Sequence, residues 1–327
     1  MGRFLTLAAI LLFVTPFASS VAVKAGQQDF LHDEKVKVQS LTLTTEQFLG
    51  GNTTNGVPVT LTGELRSPNW SERLPVVVLL HGSDGIASQS TIAWRSFLND
   101  MGIATFRLDS FHARGFYNVE NDQSRLSLFA QIYDAYRAVD VIAANPRIDP
   151  SRIAVMGFSR GGFAALYASM TRFYSLYGPA TAKITAYLPF YPLCSIQLVG
   201  ELDVVAAPIR EFHGAADDWT PAAPCRDFFA RLRAAGKDAE MIEYQGAQHA
   251  FDNPDAQPTT VQRKAQTSRN CRRREQNGQI INLETGRPFS YDDACVQIGP
   301  TAGYDKAATE SARTAVKKFL TELFHIN

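Results

Sequence analysis

The stretch RIAVMGFSRGGFAAL, residues 152–166, places a serine between glycines where a strand-like apolar run meets a helix-like run. Ser159 lies in the spacing G-x-S-x-G, with Gly157 and Gly161 two residues to either side. A sharp strand-to-helix turn lifts a serine hydroxyl above the edge of a sheet, and the strained backbone there favours glycine. The spacing therefore predicts a nucleophilic serine, and the alternative is a glycine-rich packing turn.

A serine hydroxyl becomes a useful nucleophile when a base takes its proton and an acid orients that base. On this kind of turn the expected order along the chain is serine, acid, histidine. Three histidines follow Ser159. His213 lies inside a strand-like segment, and His325 is two residues from the end of the sequence. His249, at the end of the last strand-like run, is the predicted base; a partly buried structural histidine is the alternative.

The orienting acid is expected just after the strand that precedes the one leading to the base. The segment HGAADDWTP offers two neighbouring carboxylates there, Asp217 and Asp218. The form G-x-x-D-x-x-x-P, from Gly214 to Pro221, selects Asp217. Asp218 stays open as the alternative acid, and it could instead cap the following helix.

Two backbone amides are expected to stabilise the oxyanion. One is the N–H of Arg160, the residue after the nucleophile. The other is the N–H of Ser83, in the loop HGSDG that follows an aliphatic run. His81, at the start of that loop, is expected to tie the loop together rather than to act as a base.

The elements that must position these groups alternate along the chain. Residues 36–44 and 57–68 alternate apolar and polar residues, which is typical of antiparallel strands with one solvated face. From residue 74 onward, aliphatic strands alternate with helical patterns, including helices at 124–145, 161–173 and 304–324 and a last strand at 238–251. This alternation predicts an α/β fold with a mostly parallel central sheet and helices on both faces.

A polar segment at about 252–303 interrupts the alternation between the last strand and the last helix. It contains Cys271 and Cys295, and we interpret it as an insertion closed by its own disulfide. The run GQIINLETGRPFS, residues 278–290, resembles a short hairpin.

The N-terminal segment resembles a secretory signal peptide. Arg3 precedes an apolar run that is too short to span a bilayer, and small residues then lead to Ala22. We therefore expect cleavage after about residue 22, a single domain over 23–327, no stable membrane insertion, and a periplasmic or secreted location. With 32 basic and 32 acidic residues the net charge is zero, which disfavours general nucleic-acid binding.

Export makes disulfides the expected state of the four cysteines, and the sequence leaves three pairings open. The closely spaced cysteine or histidine pairs of a zinc site are not found in the sequence. We expect no metal and no organic cofactor.

Taken in order, HGSDG, LDSFHARGF, GFSRGG, HGAADDWTP and GAQHAF resemble the α/β-hydrolase superfamily and, within it, the dienelactone hydrolase family. The resemblance runs from about residue 74 to 251. It departs from the family at one point, because the best-known family nucleophile is cysteine and this chain has Ser159. The departure favours ordinary ester hydrolysis over dienelactone as the reaction.

The resemblance also implies roles for residues beyond the triad. It brings Cys194 and Cys225 together near the top of the sheet, which favours the pairs Cys194–Cys225 and Cys271–Cys295. Arg114 lies in a loop near the family's active site, where it could bind a substrate carboxylate or brace the loop through Asp109. The aromatic residues expected to line an acyl or aromatic pocket, or simply to pack, are Trp219, Tyr191, Phe190 and Phe251.

The sequence therefore predicts a secreted serine hydrolase that cleaves a small-molecule carboxylic ester through an acyl-enzyme. A peptidase of the same fold would need an additional domain or large cap, for which this chain has little room. A binding protein on the same fold would be expected to lack a triad member. A metal-dependent hydrolase would need clustered ligands, and His81, His112 and His213 lack that spacing.

Overall fold

The structure is a computed structural model that describes residues 1–2, 32–68 and 72–326. The predicted signal peptide, apart from its first two residues, lies outside the described part of the chain. Among the described residues, no helix has the length and apolar character needed to cross a membrane.

The strands before the insertion are β1 (His32–Thr42), β2 (Val57–Ser67), β3 (Leu74–Leu80), β4 (Ala104–Asp109), β5 (Ile148–Phe158), β6 (Ile184–Phe190), β7 (Ile196–Gln197), β8 (Ile209–Gly214) and β9 (Ala239–Tyr244). Eight of them form one sheet in the order β1-β2-β4-β3-β5-β6-β8-β9. The six strands from β4 to β9 in that order are parallel, and β2 joins them antiparallel at one side. The predicted mostly parallel sheet is confirmed.

Helices cover both faces of this sheet. They are α1 (Thr45–Leu49), α2 (Gln89–Asp100), α3 (Ala130–Ala143), α4 (Arg160–Tyr167), α5 (Thr171–Tyr177), α6 (Ala222–Ala234) and α7 (Lys306–Phe324). Side chains alternate across β3, so Val78 packs with α3 and α4 while Val77 packs with α2 and α7. All seven residues of β3 are buried, as its continuous aliphatic sequence predicts.

Three predicted boundaries are wrong. The helix expected at 161–173 is two helices, because Met170 pairs with Val204 through the backbone and the intervening turn breaks the helix. The last strand ends at Tyr244 rather than at 251, so a loop carries His249. The long helix begins at Ala130, after a short 3₁₀ turn at Gln123–Arg125.

The insertion contains only short strands, and one of its sheets extends onto the body. Its strands are β10 (Thr260–Val261), β11 (Gln266–Thr267), β12 (Arg273–Gln276), β13 (Gln279–Asn282), β14 (Arg287–Pro288), β15 (Gln297–Ile298) and β16 (Thr301–Ala302). The expected hairpin is present as the antiparallel pair β13–β14, and β12 pairs in parallel with β7 of the body.

The two disulfides join Cys194 to Cys225 and Cys271 to Cys295, which is the favoured pairing. The first links the segment after β6 to α6, and the second closes a loop within the insertion.

Candidate active site

The residues of the site lie at the carboxyl ends of parallel strands. Ser159 follows β5, Ser83 follows β3, Asp217 follows β8, and His249 lies in the loop after β9. Because neighbouring parallel strands end at the same edge of a sheet, four segments far apart in sequence meet there.

Ser159 occupies a strained turn between β5 and α4. Its φ of 53° and ψ of −112° are unfavourable for a residue with a side chain. A Cβ on Gly157 would lie 2.0 Å from the carbonyl oxygen of Gly161, and one on Gly161 would lie 2.2 Å from the carbonyl oxygen of Leu80. The two flanking glycines therefore allow the backbone contacts that hold the turn.

A continuous hydrogen-bonded chain joins the three residues of the predicted triad. Ser159 Oγ lies 2.9 Å from His249 Nε2, and His249 Nδ1 lies 2.7 Å from Asp217 Oδ2. Because a carboxylate faces Nδ1, that nitrogen carries the proton and Nε2 is free to accept from the serine. The geometry is that of a nucleophile, a base and an orienting acid.

Asp217 is fully buried and receives several hydrogen bonds. Its Oδ1 accepts from the backbone N–H groups of Trp219 and Thr220, at 2.8 and 2.9 Å. Its Oδ2 accepts from Thr220 Oγ1 at 3.1 Å. Burial opposes the charge, but the neighbouring His249 and His213 lower the pKa of Asp217 well below its usual range. Asp217 is therefore held ionised beside His249.

A second buried histidine approaches the same carboxylate from below. His213 Nε2 lies 2.7 Å from the carbonyl oxygen of Thr220 and 3.3 Å from Asp217 Oδ2, while Nδ1 lies 2.6 Å from Glu211 Oε1. A carbonyl oxygen only accepts, so Nε2 carries the proton and donates it to Thr220, while Asp217 Oδ2 lies at ion-pair distance from the same nitrogen. Burial opposes protonation, yet Glu211 and Asp217 raise the pKa of His213 to about 10.

Sequence reasoning did not assign Glu211, His213 or Thr220 to the site. A signal for the first two was available, because residues two apart in a strand point to the same face, and a buried Glu-x-His pair is unusual. No comparable sequence signal identifies Thr220.

The two residues expected to supply oxyanion donors flank Ser159. Ser83 borders both of the cavities that contain Ser159, and Arg160 begins α4, whose first amides lack acceptors within the helix. His81 is buried, with Nδ1 2.8 Å from the carbonyl oxygen of Gly82, and its Nε2 accepts from the N–H of Ser110. Burial lowers the pKa of His81 to about 4, so it braces this loop as a neutral side chain.

Asp218 is engaged by the insertion rather than by the histidine. Its Oδ2 accepts from Arg269 at 2.6 Å, and its Oδ1 accepts from the backbone and hydroxyl of Thr301 at 2.7 and 2.8 Å. Of the two adjacent aspartates, Asp217 therefore binds His249 and Asp218 attaches the insertion.

The cavity space around Ser159 is divided into compartments. One, of about 180 Å³, contains Ser159, His249, Tyr191, Asp84 and Glu120. A narrow second one, of about 40 Å³, contains Ser159 and Arg160 and borders an outer one of about 260 Å³. We call these the histidine compartment, the neck and the outer compartment.

Two carboxyl groups face the histidine compartment. Burial, together with the nearby Asp84, raises the pKa of Glu120 to about 7. Neither acid forms an ion pair with the described residues.

Two of the aromatic residues expected to line a pocket do so. Trp219 borders both the neck and the histidine compartment, and its indole N–H donates to the carbonyl oxygen of Gln266. Tyr191 borders the histidine compartment, where its ring lies 4.7 Å from that of His249 and its hydroxyl donates to buried Asp252.

Arg114 and Phe251 lie elsewhere, which corrects their expected places in the pocket. The guanidinium of Arg114 is buried and forms a two-point ion pair with Asp134, at 2.8 and 2.9 Å, so no group is left for a substrate carboxylate. Asp109 instead accepts from the N–H groups of Phe111 and His112. Phe251 is fully buried in the core beneath the site, as is Phe190.

The described residues offer one cluster with metal-binding groups, formed by Glu211, His213 and Cys225. The sulfur of Cys225 is committed to a disulfide, and both ring nitrogens of His213 are hydrogen-bonded. This set of residues does not fit a metal ion.

Comparison with known proteins gives the family. A curated relative, "Putative carboxymethylenebutenolidase" of Yersinia pestis, is 35% identical over 124 residues, covering 36% of this chain and 43% of the relative. The matched region is thus less than half of that relative. A crystal structure of a dienelactone hydrolase-like promiscuous phosphotriesterase from metagenomic libraries has a TM-score of 0.54 at 20% identity, covering 89% of this chain and 98% of that one.

Thermogutta terrifontis esterase 2 phosphorylated by paraoxon has a TM-score of 0.53 at 18% identity, covering 81% of this chain and 90% of that one. At these identities the two solved structures support the fold alone. The sequence profile of the Dienelactone hydrolase family matches residues 61–324. With the matched residues spanning most of the chain and the expected α/β-hydrolase fold confirmed, this protein belongs to the dienelactone hydrolase family.

Proposed function

We propose that this protein is a serine hydrolase that cleaves carboxylic esters through an acyl-enzyme, with Ser159 as nucleophile, His249 as base and Asp217 as orienting acid. The observation that carries the proposal is the hydrogen-bonded chain from Ser159 to Asp217, with 2.9 and 2.7 Å between the successive polar atoms. The family assignment is consistent with it.

In the first half of the reaction, His249 Nε2 takes the proton of Ser159 as Oγ attacks the ester carbonyl carbon. The N–H groups of Ser83 and Arg160 stabilise the negative charge that develops on the carbonyl oxygen. His249 then gives its proton to the departing alcohol, leaving an ester between the acyl group and Ser159. Ionised Asp217 stabilises the imidazolium while it exists.

In the second half, water replaces the alcohol. His249 takes a proton from the water while the water oxygen attacks the acyl carbon. His249 then returns that proton to Ser159 Oγ as the carboxylic acid leaves. No step in this sequence requires a metal or an organic cofactor.

The substrate can be placed within the compartments. The leaving alcohol must lie next to the histidine that protonates it, which places the alcohol in the histidine compartment. The neck contains Ser159 and Arg160 but is not bordered by His249. The acyl group is therefore placed in the neck.

We also propose that the protein is exported and acts outside the cytoplasm. Both disulfides favour an oxidising compartment, and the N-terminal sequence pattern favours a cleaved signal peptide.

Hydrolysis of p-nitrophenyl acetate and butanoate tests the proposal. Ser159→Ala is expected to lower kcat by at least about 10⁴-fold, because the attacking oxygen is removed. Ser151→Ala, at an exposed serine within the same strand, should leave kcat unchanged. Full activity of the folded Ser159→Ala variant would contradict the proposal.

A further inference from the structure

The insertion brings one side chain to the boundary between the neck and the outer compartment. Three residues border both spaces: Gln123, Leu128 and Tyr291. Of these, only Tyr291 belongs to the insertion. It lies where an acyl group extending from Ser159 would pass from the neck into the outer compartment.

The insertion is fastened to the body beside the triad. Thr267 Oγ1 donates to the carbonyl oxygen of Trp219 at 2.7 Å, and Trp219 Nε1 donates to that of Gln266 at 3.0 Å. Arg269 and Thr301 both bind Asp218, the neighbour of the triad acid. These contacts make the insertion a fixed wall of the cleft.

The segment that carries Tyr291 is held on both sides. Before it, the N–H of Phe289 donates to the carbonyl oxygen of Ile280 at 2.8 Å, next to the β13–β14 pair. After it, Asp293 accepts from Asn282 at 2.9 Å, and Cys295 is bonded to Cys271. The rings of Tyr291 and Phe289 also pack, with centroids 5.1 Å apart.

The sizes of the two spaces give this position a consequence. The neck, at about 40 Å³, has room for about three waters, or for a short acyl group in their place. The outer compartment is more than six times larger, at about 260 Å³. Its lining combines polar side chains, among them Glu46 and Arg273, with six large apolar ones: Leu126, Leu128, Phe129, Ile196, Ile280 and Phe289.

We propose that Tyr291 determines the length of acyl group that this protein accepts, restricting the reaction to short acyl groups. Its side chain borders both spaces, and on this proposal removing the ring joins the neck to the larger outer compartment. The proposal rests on the proposed ester hydrolysis and on the acyl group lying in the neck.

The test is the ratio of kcat/KM for p-nitrophenyl octanoate to that for p-nitrophenyl butanoate. The unaltered protein should have a ratio well below one. Tyr291→Ala should raise this ratio by about tenfold or more, because each methylene group placed in an apolar pocket increases kcat/KM. Tyr291→Phe keeps the ring and should keep the original ratio. Tyr117→Ala removes an exposed ring outside the three compartments and serves as the matched control.

The possible results separate this proposal from the broader one. A ratio near one in the unaltered protein, or the same low ratio in folded Tyr291→Ala, would overturn the role of Tyr291 while hydrolysis itself stands. Absence of hydrolysis for both esters in the unaltered protein would overturn the proposed function and this role with it. If Tyr291→Ala fails to fold, Tyr291→Leu takes its place, with an increase of the same direction expected.

Discussion

Two histidines contact Asp217, the proposed triad acid, and the second one, His213, also lowers the pKa of its carboxyl group. His249 Nδ1 lies 2.7 Å from Asp217 Oδ2, and His213 Nε2 lies 3.3 Å from the same oxygen. His213 is in turn held by Glu211, and both side chains are fully buried. The orientation of Asp217 therefore depends on Glu211 and His213 in β8 as well as on the loop that follows this strand.

Replacing His213 with Gln should be costly to stability. The change leaves Glu211 buried without its ionic partner, and breaking a buried pair typically costs about 3 to 5 kcal/mol. Urea unfolding of His213→Gln, Glu211→Gln and the double variant measures the coupling. The double variant should be more stable than the sum of the two single losses predicts. Strict additivity of the two losses would contradict a coupled buried pair.

Glu120 should make stability depend on pH. Its pKa, raised to about 7 in the fold, lies above its ordinary value near 4.5, so the folded state binds the proton more tightly than the unfolded state. Glu120 consequently destabilises the fold increasingly as pH rises from about 4.5 through 7.

Glu120→Gln should remove this dependence and raise Tm relative to the unaltered protein more at pH 8 than at pH 5. Glu322→Gln, at an exposed glutamate of α7, is the control that should show no such difference. A Tm gain that is equal at both pH values would count against a raised pKa for Glu120.

At the scale of elements, the two adjacent aspartates connect different parts of the molecule. Asp217 contacts His249, the proposed base, whereas Asp218 binds Arg269 and Thr301 of the insertion. Asp217→Asn is expected to lower kcat for esters by about 10⁴-fold, because the base loses its correct tautomer.

Asp218→Asn keeps the triad and is expected to retain most of kcat. It weakens the attachment of the insertion, so residues 266–302 should exchange their amide hydrogens faster than in the unaltered protein. A larger loss of kcat in Asp218→Asn than in Asp217→Asn would reverse the assignment of the two acids.

The alternation of strands and helices was predictable because buried parallel strands have a simple sequence pattern. The order of the strands in the sheet comes from the structure. The β5–α4 turn was predictable for a similar reason, since G-x-S-x-G expresses a steric demand within a few residues. Helix α4 ends early for a reason that a local pattern does not contain, namely the backbone pairing of Met170 with Val204.

The contrast between local patterns and contacts across the fold also explains which residues of the site were predictable. Ser159 and His249 stand in recognisable motifs, and the structure brings them together with 2.9 Å between Oγ and Nε2. Arg114 also stands in a recognisable loop, but its actual partner is Asp134 on α3, a contact across the fold that its own loop does not encode. Tyr291 lies in a polar insertion without a recognised motif, and only the folded chain brings it to the cleft.

At the scale of the whole molecule, the proposed export and the two disulfides predict properties that can be measured on the same sample. The protein purified from a periplasm should begin near residue 23 and should contain no free thiol, because all four cysteines are paired. N-terminal sequencing and thiol titration under denaturing conditions measure both properties. An intact N-terminus together with four titratable thiols would contradict export.

The central claim is that Ser159 is activated by His249, and covalent labelling tests it most directly. The purified protein is treated with a fluorophosphonate and digested, and the adduct is located by peptide mass mapping. We predict one adduct per chain, on Ser159, and its loss in His249→Ala while Ser151→Ala still labels fully. A folded protein that acquires no adduct on Ser159, or that labels equally well without His249, would contradict the claim.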